Sequence, residues 1–185
     1  ECMVGGRSTR LRAVCNRTLP ERVEPVRSAR LYYSAKAGEY DGIYVHFGGT
    51  NTPGHEGNVY DYMNSNDGVF KERVDGLHEM YGTISRDSGR KAPHNAMVDL
   101  AKVRELYDYE PQPRKFHFDP AFVMEGEDAT HITIPFDMGS ARTEYDYDAE
   151  QGLYLRKQGG KPFRDANTNE QVTVKNIIVE YAAYH

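Results

Sequence analysis

Residues 86–95 read Arg-Asp-Ser-Gly-Arg-Lys-Ala-Pro-His-Asn, which puts three cations, a carboxylate, an imidazole and a carboxamide into one short run. A guanidinium fork matches the paired oxygens of a carboxylate or phosphate. An imidazole can hold or move a proton near neutral pH. The chemistry such a run could do is recognition of an oxyanion, with proton transfer as an addition. Two further stretches carry the same residue types: the charged turn from Arg22 to Arg30, and Tyr-Val-His-Phe-Gly-Gly at 44–49. Together they nominate Arg27, Ser28, Arg30, His46, Arg86, Arg90, Lys91, His94 and Asn95 as ligand-binding residues, and His46, Asp87 and His94 for proton transfer. Two readings stay open for each group. The arginines either line an oxyanion pocket or pair with Glu24, Asp41 and Asp87 as structural salt bridges. His46 is either a hydrogen-bonded core residue or stands at the carboxyl end of a sheet strand, where ligands gather in open α/β sheets.

Other chemistries lack their signatures. No G-x-G-x-x-G follows a strand, and there is no P-loop, no G-x-S-x-G elbow, no HExxH and no EF-hand pattern. Ser28 and Ser88 lie near arginines, but a serine nucleophile needs a base within reach. Asp87, His94 and Asn95 are too few and too irregularly spaced to argue for a metal, so neither metal nor cofactor is expected. Cys2 and Cys15 form no C-x-x-C pair; they are small hydrophobes or the halves of a disulfide, and both readings stand.

The chain has 185 residues, 38% hydrophobic and 28% charged, which is an ordinary globular composition with room for a real core. A formal charge of −5 removes any global pull toward nucleic acid. Fourteen Tyr, seven Phe and no Trp favour half-buried strand positions, where a ring packs and a hydroxyl stays wet. No run approaches the roughly 18 apolar residues of a membrane span.

The elements that must position the candidate residues follow from local pattern. A strand is expected over 10–15 and a helix over 28–38, with Ser28 as its N-cap. The apolar and β-branched run over 41–47 predicts a central strand covered on both faces, followed by a glycine-rich turn over 48–54. Val59, Tyr62 and Met63, and again Leu77, Met80 and Tyr81, have helical spacing; Val69 and Phe70 could enter a core. A short strand over 81–85 leads into the charged run. A helix opening at Pro93 or Asn95 then uses Ala96, Met97, Leu100, Ala101 and Val103 as its apolar stripe. This places both charged loops at helix entrances. Two prolines make 108–115 a linker. Beyond it strands are expected over 129–136, 141–147, 153–158 and 171–181, with turns at 148–152, 159–160 and 167–169. The expected fold class is α+β. Residues 1–107 form an N-terminal α/β module with a central sheet flanked by helices, and 116–185 form a smaller antiparallel β-rich module.

The same residues carry a resemblance. Pro25-Val-Arg-Ser-Ala-Arg30, Tyr40-Asp-Gly-Ile-Tyr-Val-His46 with Gly48-Gly49, and Arg86-Asp87 with Arg90-Lys-Ala-Pro-His-Asn95 closely resemble the YerB-type bacterial lipoprotein family, also described as the domain of unknown function DUF3048. Gly5-Gly6 with Thr9-Arg10 looks like the family's earlier glycine motif, with one extra residue before Thr9 and Arg7-Ser8 at a usually apolar position. Tyr145-Asp-Tyr-Asp148, Tyr154 with Arg156, Asp165 and Lys175-Asn-Ile-Ile-Val179 resemble its C-terminal module. The resemblance implies two modules and an extracytoplasmic parent protein tethered to the membrane by a lipid anchor absent from this chain. It supplies no activity and no catalytic residues. Sequence and resemblance together lead to the expectation of a domain that binds a phosphate- or carboxylate-bearing cell-envelope ligand through its Arg/His loops. The alternatives are a protein-interaction module with Tyr-rich strands, and a phosphotransferase or hydrolase acting on a phosphate-containing substrate.

Overall fold

A computed structural model of the chain describes residues 2–4, 8–16, 18–51, 58–65, 72–79, 81–107, 119–122, 125–136 and 138–179. The architecture is α+β: a mixed α/β N-terminal region and a β-rich C-terminal sheet. The chain divides into two compact units, one of residues 14–117 and one of residues 1–13 with 118–185. The expected linker over 108–115, the glycines at 5 and 6, and Val69 and Phe70 lie outside the described residues.

In the unit 14–117 the first helix, α1, spans Leu31–Gly38, and the first strand after it, β3, spans Tyr44–His46. Helix α2 is Val59–Asn64, strand β4 Arg73–Asp75, β5 Ile84–Arg86, β6 Ala96–Val98, and helix α3 Leu100–Leu106. Strands β3 and β4 pair in parallel, with His46 opposite Asp75, and α2 lies in the crossover between them. Parallel pairing requires such a crossover. Strands β5 and β6 form an antiparallel hairpin. The extended segment 23–29 joins the two pairs. On one side Val26 N–H donates to Ala96 O and Val98 N–H to Val23 O; on the other Phe47 N–H donates to Arg27 O and Ala29 N–H to Gly48 O.

Alternation along β3 explains its unbroken apolar run. Ile43, Val45 and Phe47 pack on a core of Val26, Val74, Ala96, Val98 and Val103. Tyr44 packs instead on Ala29, Val59 and Met63, and the His46 ring stacks on Tyr44. Successive residues of a strand face opposite ways, so the strand is covered on both faces, as its composition predicts. The strand itself is shorter than 41–47 because its pairing partner β4 is only three residues long.

Several expected elements are corrected. The expected strand over 10–15 ends at Arg10, the last residue of β2, Ser8–Arg10, which pairs with β1, Cys2–Val4. Helix α1 begins at Leu31, not Ser28. Arg30 occupies the N-cap without a side-chain cap bond, and the Ser28 hydroxyl accepts from Arg30 instead. Of the expected helical turn at Leu77, Met80 and Tyr81, Met80 lies outside the described residues; Arg73–Asp75 is a strand, and Leu77 lies in a turn over 76–78. The helix expected from Pro93 or Asn95 is a strand first. Ala96 and Val98 are buried by period-two alternation, and only after Asp99 does α3 begin, with Lys102 N–H donating to the Asp99 carboxylate. Residues 87–95 therefore connect two antiparallel strands and stand at no helix entrance.

In the C-terminal sheet β7, His131–Ile134, β8, Thr143–Asp148, β9, Leu153–Gln158, and β10, Lys161–Pro162, run in that order, and β11, Thr173–Val174, also pairs with β9. The expected turn at 148–152 is present. The Asp148 carboxylate accepts from Glu150 and Gln151 N–H, and Gly152 takes a left-handed φ of 66°. The strand expected over 171–181 is limited to two residues within the described part. Arg156 is buried on β9, with its guanidinium 4.0 Å from the Phe163 ring centroid. Cys15 is a free thiol.

Candidate functional site

The loops 22–30 and 86–95 meet although they are about sixty residues apart in sequence, because the segment 23–29 is stitched to β6 at the base of the hairpin. Two kinds of contact join them. The first is a charge-balanced cluster: Arg22 pairs with Glu24 at 2.9 Å and with Asp87, and Arg90 pairs with Glu24 at 3.2 Å and more loosely with Asp87. Arg90 is thus tied to carboxylates, as the salt-bridge reading anticipates. Asp87 is held below the usual carboxylate range by the Gly89 N–H, and also by Arg22 and Arg90. A carboxylate so engaged is a poor proton acceptor.

The second contact carries no carboxylate. Arg27 Nη1 donates to His94 Nδ1 at 2.7 Å and to the Pro93 carbonyl at 3.3 Å. A guanidinium has no lone pair to offer, so His94 Nδ1 must accept and the ring proton sits on Nε2. Burial, and then the like charge of Arg30, push the Arg27 guanidinium below its ordinary value. Arg30 itself donates to the Ser28 hydroxyl at 2.8 Å and to the Ala29 carbonyl at 2.9 Å. Arg86 donates to the Asn95 carboxamide oxygen at 2.8 Å and lies 4.3 Å over the Phe47 ring. Lys91 is exposed. The structure therefore brings Arg27 to His94 and Arg86 to Asn95.

His46 stands elsewhere. It is 1% exposed, its Nδ1 donates to the Gly48 carbonyl at 2.9 Å, and its Nε2 has no partner among the described residues. Burial lowers its basicity below the ordinary histidine value. Across the parallel pair lies a residue that pattern reading passed over, Asp75. Its Oδ1 accepts from Gly48 N–H at 2.7 Å and Leu77 N–H at 3.0 Å. Its Oδ2 accepts from the Tyr60 hydroxyl at 2.8 Å and His78 Nδ1 at 3.1 Å. Burial alone would raise this carboxyl; the bonds from Gly48, Leu77 and Tyr60 overcome it and bring it down to about 2. Tyr60 is pushed up to about 12 by burial and by Asp75. The signal that could have found Asp75 is its place at the end of a parallel strand, but 72–82 lacks the apolar run that marks a strand. Among the described residues no group of three or more His, Cys, Asp or Glu is placed to hold a metal ion. No helix among them is long and apolar enough to cross a membrane.

Fold and geometry define an α+β protein in which two Arg- and His-bearing loops meet in the unit that also holds a parallel strand pair. The chain belongs to the DUF3048 family. The family model described as "Protein of unknown function (DUF3048) N-terminal domain" matches residues 1–113, and that of the C-terminal domain matches residues 132–185. The chain is 26% identical over 196 residues to "Putative lipoprotein YerB" of Bacillus subtilis (strain 168), in an alignment covering 100% of this chain and 55% of that protein. The crystal structure of the Bacillus subtilis YerB protein is similar at a TM-score of 0.62 and 23% identity, over 83% of this chain and 50% of that one. The chain thus spans about half the length of the relative it matches, and the structural likeness concerns the fold.

Proposed function

We propose that the loops 22–30 and 86–95 bind an anionic group, a phosphate or carboxylate carried by a cell-envelope ligand. The parent protein would be extracytoplasmic and lipid-anchored, in keeping with the name of its relative. The observation that carries this reading is the Arg27–His94 pair. It offers only donors, namely the remaining guanidinium N–H groups and the His94 Nε2–H, and Arg30 adds like charge beside it. A guanidinium that donates to neutral protein groups, as Arg27 does to His94 and the Pro93 carbonyl, is stabilised by an external anion. Ser28, Arg86, Lys91 and Asn95 would complete the surface, while Arg90 and Asp87 would hold the two loops in register.

The phosphotransferase or hydrolase reading is less well supported. It needs a base aligned on a reacting oxygen, whereas His46 is sealed from solvent, Asp87 is engaged by two guanidinium groups, and His94 Nδ1 is occupied by Arg27. One observation favours an interaction role for the C-terminal sheet: the Tyr147 and Tyr154 rings pack side by side at 5.1 Å, with Tyr147 exposed. Tyrosine is enriched at interfaces. Tyr145, by contrast, is buried and cannot contribute.

Titration calorimetry with inorganic phosphate and with acetate tests the anion site. Loss of a charged hydrogen bond corresponds to roughly a tenfold or larger drop in affinity, which is the effect expected of Arg27→Ala. Phosphate affinity unchanged in both Arg27→Ala and Arg30→Ala would overturn the proposal.

A further inference from the structure

A second group of polar side chains shares no residue with the anion site. It borders a cavity of about 400 Å³ lined by Tyr60, Asp75, His78, Tyr81 and Tyr107, with Arg73, Val74 and Glu79 completing the wall. That volume lies toward the lower end of small-ligand sites, roughly 300–1,000 Å³. We propose that this cavity binds an uncharged, hydroxyl-rich ligand, a carbohydrate by chemical class, with His78 Nε2 and the Tyr60 hydroxyl oxygen as the acceptors of its hydroxyl protons.

The argument begins with Asp75, whose two oxygens already receive four donors. A carboxylate has about four lone-pair positions, so Asp75 has none left for a metal or a ligand. It is a positioning residue. An ionised carboxylate only accepts, so His78 Nδ1 is the donor in their contact, and in the Nδ1–H tautomer Nε2 is the acceptor. The His78 side chain is 69% exposed, so a ligand can reach the ring. Tyr60 likewise donates its only hydroxyl proton to Asp75, which leaves its oxygen as an acceptor. His78 and Tyr60 thus present acceptors, the opposite of the donor-only Arg27–His94 pair.

The walls fit the same class. Tyr107 has its hydroxyl tied to the Arg73 carbonyl at 2.8 Å, and Tyr81 is 73% exposed, so both offer ring surface. Such rings suit the C–H faces of a sugar, while polar groups fix its hydroxyls. The charged groups of the wall already have partners: Arg73 donates to Asn64, Asp75 accepts its four donors, and Glu79 Oε1 is held by Tyr81 N–H and by Thr83.

The test is NMR of the whole chain carrying ¹⁵N-labelled histidine and ¹³C-labelled tyrosine rings, titrated with chitobiose, and in separate samples with inorganic phosphate and tetramethylammonium. The ring ¹⁵N shifts of His78 are expected to show the proton on Nδ1. Chitobiose is expected to shift His78, Tyr60 and Tyr81 saturably while leaving His94 unmoved. Loss of one neutral hydrogen bond corresponds to roughly three- to tenfold in affinity, the drop expected in His78→Phe. In Asp75→Asn the amide donates where the carboxylate accepted, so the His78 proton is expected to move to Nε2 and sugar binding to weaken. No saturable shift up to the solubility limit of the sugar overturns the proposal. So does equal binding in His78→Phe, or a His78 response to phosphate or tetramethylammonium in place of chitobiose. Because the anion site uses other residues, phosphate binding lost in Arg27→Ala bears on that site alone.

Discussion

Asp75 shows how much one side chain can organise. It closes the parallel pair by binding the Gly48 and Leu77 N–H groups, and it orients Tyr60 and His78. Its carboxyl stands near 2 when folded against an ordinary 3.8, so the folded state prefers the ionised form. The stability this contributes is fully present above the unfolded value and is lost as pH falls through about 2. With the side chain only 10% exposed, the shift corresponds to about 2 kcal/mol. Asp75→Asn is therefore expected to lower the urea-unfolding free energy by about that amount at neutral pH, and to flatten the acid limb of its pH dependence. An unchanged midpoint at neutral pH would show that the hydrogen-bond array holds without the charge. At this scale the sequence was informative about residue types but not about partners. Arg27, Arg86, His94 and Asn95 were visible as polar loop residues, yet nothing local said that Arg27 would meet His94 while Arg90 would meet Glu24. Those choices depend on the angle at which two loops cross.

Among the elements, the turn after β3 has the least tolerance. Gly48 adopts a φ of 68°, and a Cβ on Gly49 would lie 2.5 Å from Val59 Cγ1 and 3.1 Å from the Tyr60 ring. Val59 and Tyr60 open α2, so the turn and the helix seat each other, and Val59 N–H also donates to Thr50 O. Gly49→Ala overpacks this contact and is expected to cost about 1–3 kcal/mol, measured by chemical denaturation. The same contact brings Tyr60 to Asp75, so the cavity described above should be disturbed with it. Element type was legible where one period ran long enough. The apolar run of β3, the Val59–Met63 face of α2 and the β8–β9 hairpin all declared themselves. The stretch 93–106 did not, because a three-residue strand joins a seven-residue helix, and Ala96, Leu100 and Val103 fit a single helical stripe by coincidence. Only the pairing of Ala96 with Arg86 and of Val98 with Ile84 reveals the strand. Arg73–Asp75 was missed for the opposite reason: three residues are too few to show a period.

For the molecule as a whole, two compact units are expected to unfold as two calorimetric transitions. Gly49→Ala should shift the transition of the unit 14–117 and leave the other in place. A single transition moving as one in the variant would show that the units fold cooperatively. The sequence by itself determined the α+β class, the family and the positions of the polar loops. These follow from composition, periodicity and motif, which are properties of neighbouring residues in the chain. Tertiary structure alone decided that Arg90 meets Glu24 while Arg27 meets His94, and it alone placed His46 opposite Asp75. Those outcomes depend on strand pairing between segments tens of residues apart, where hydrogen-bond register sets the distances and no local pattern encodes them.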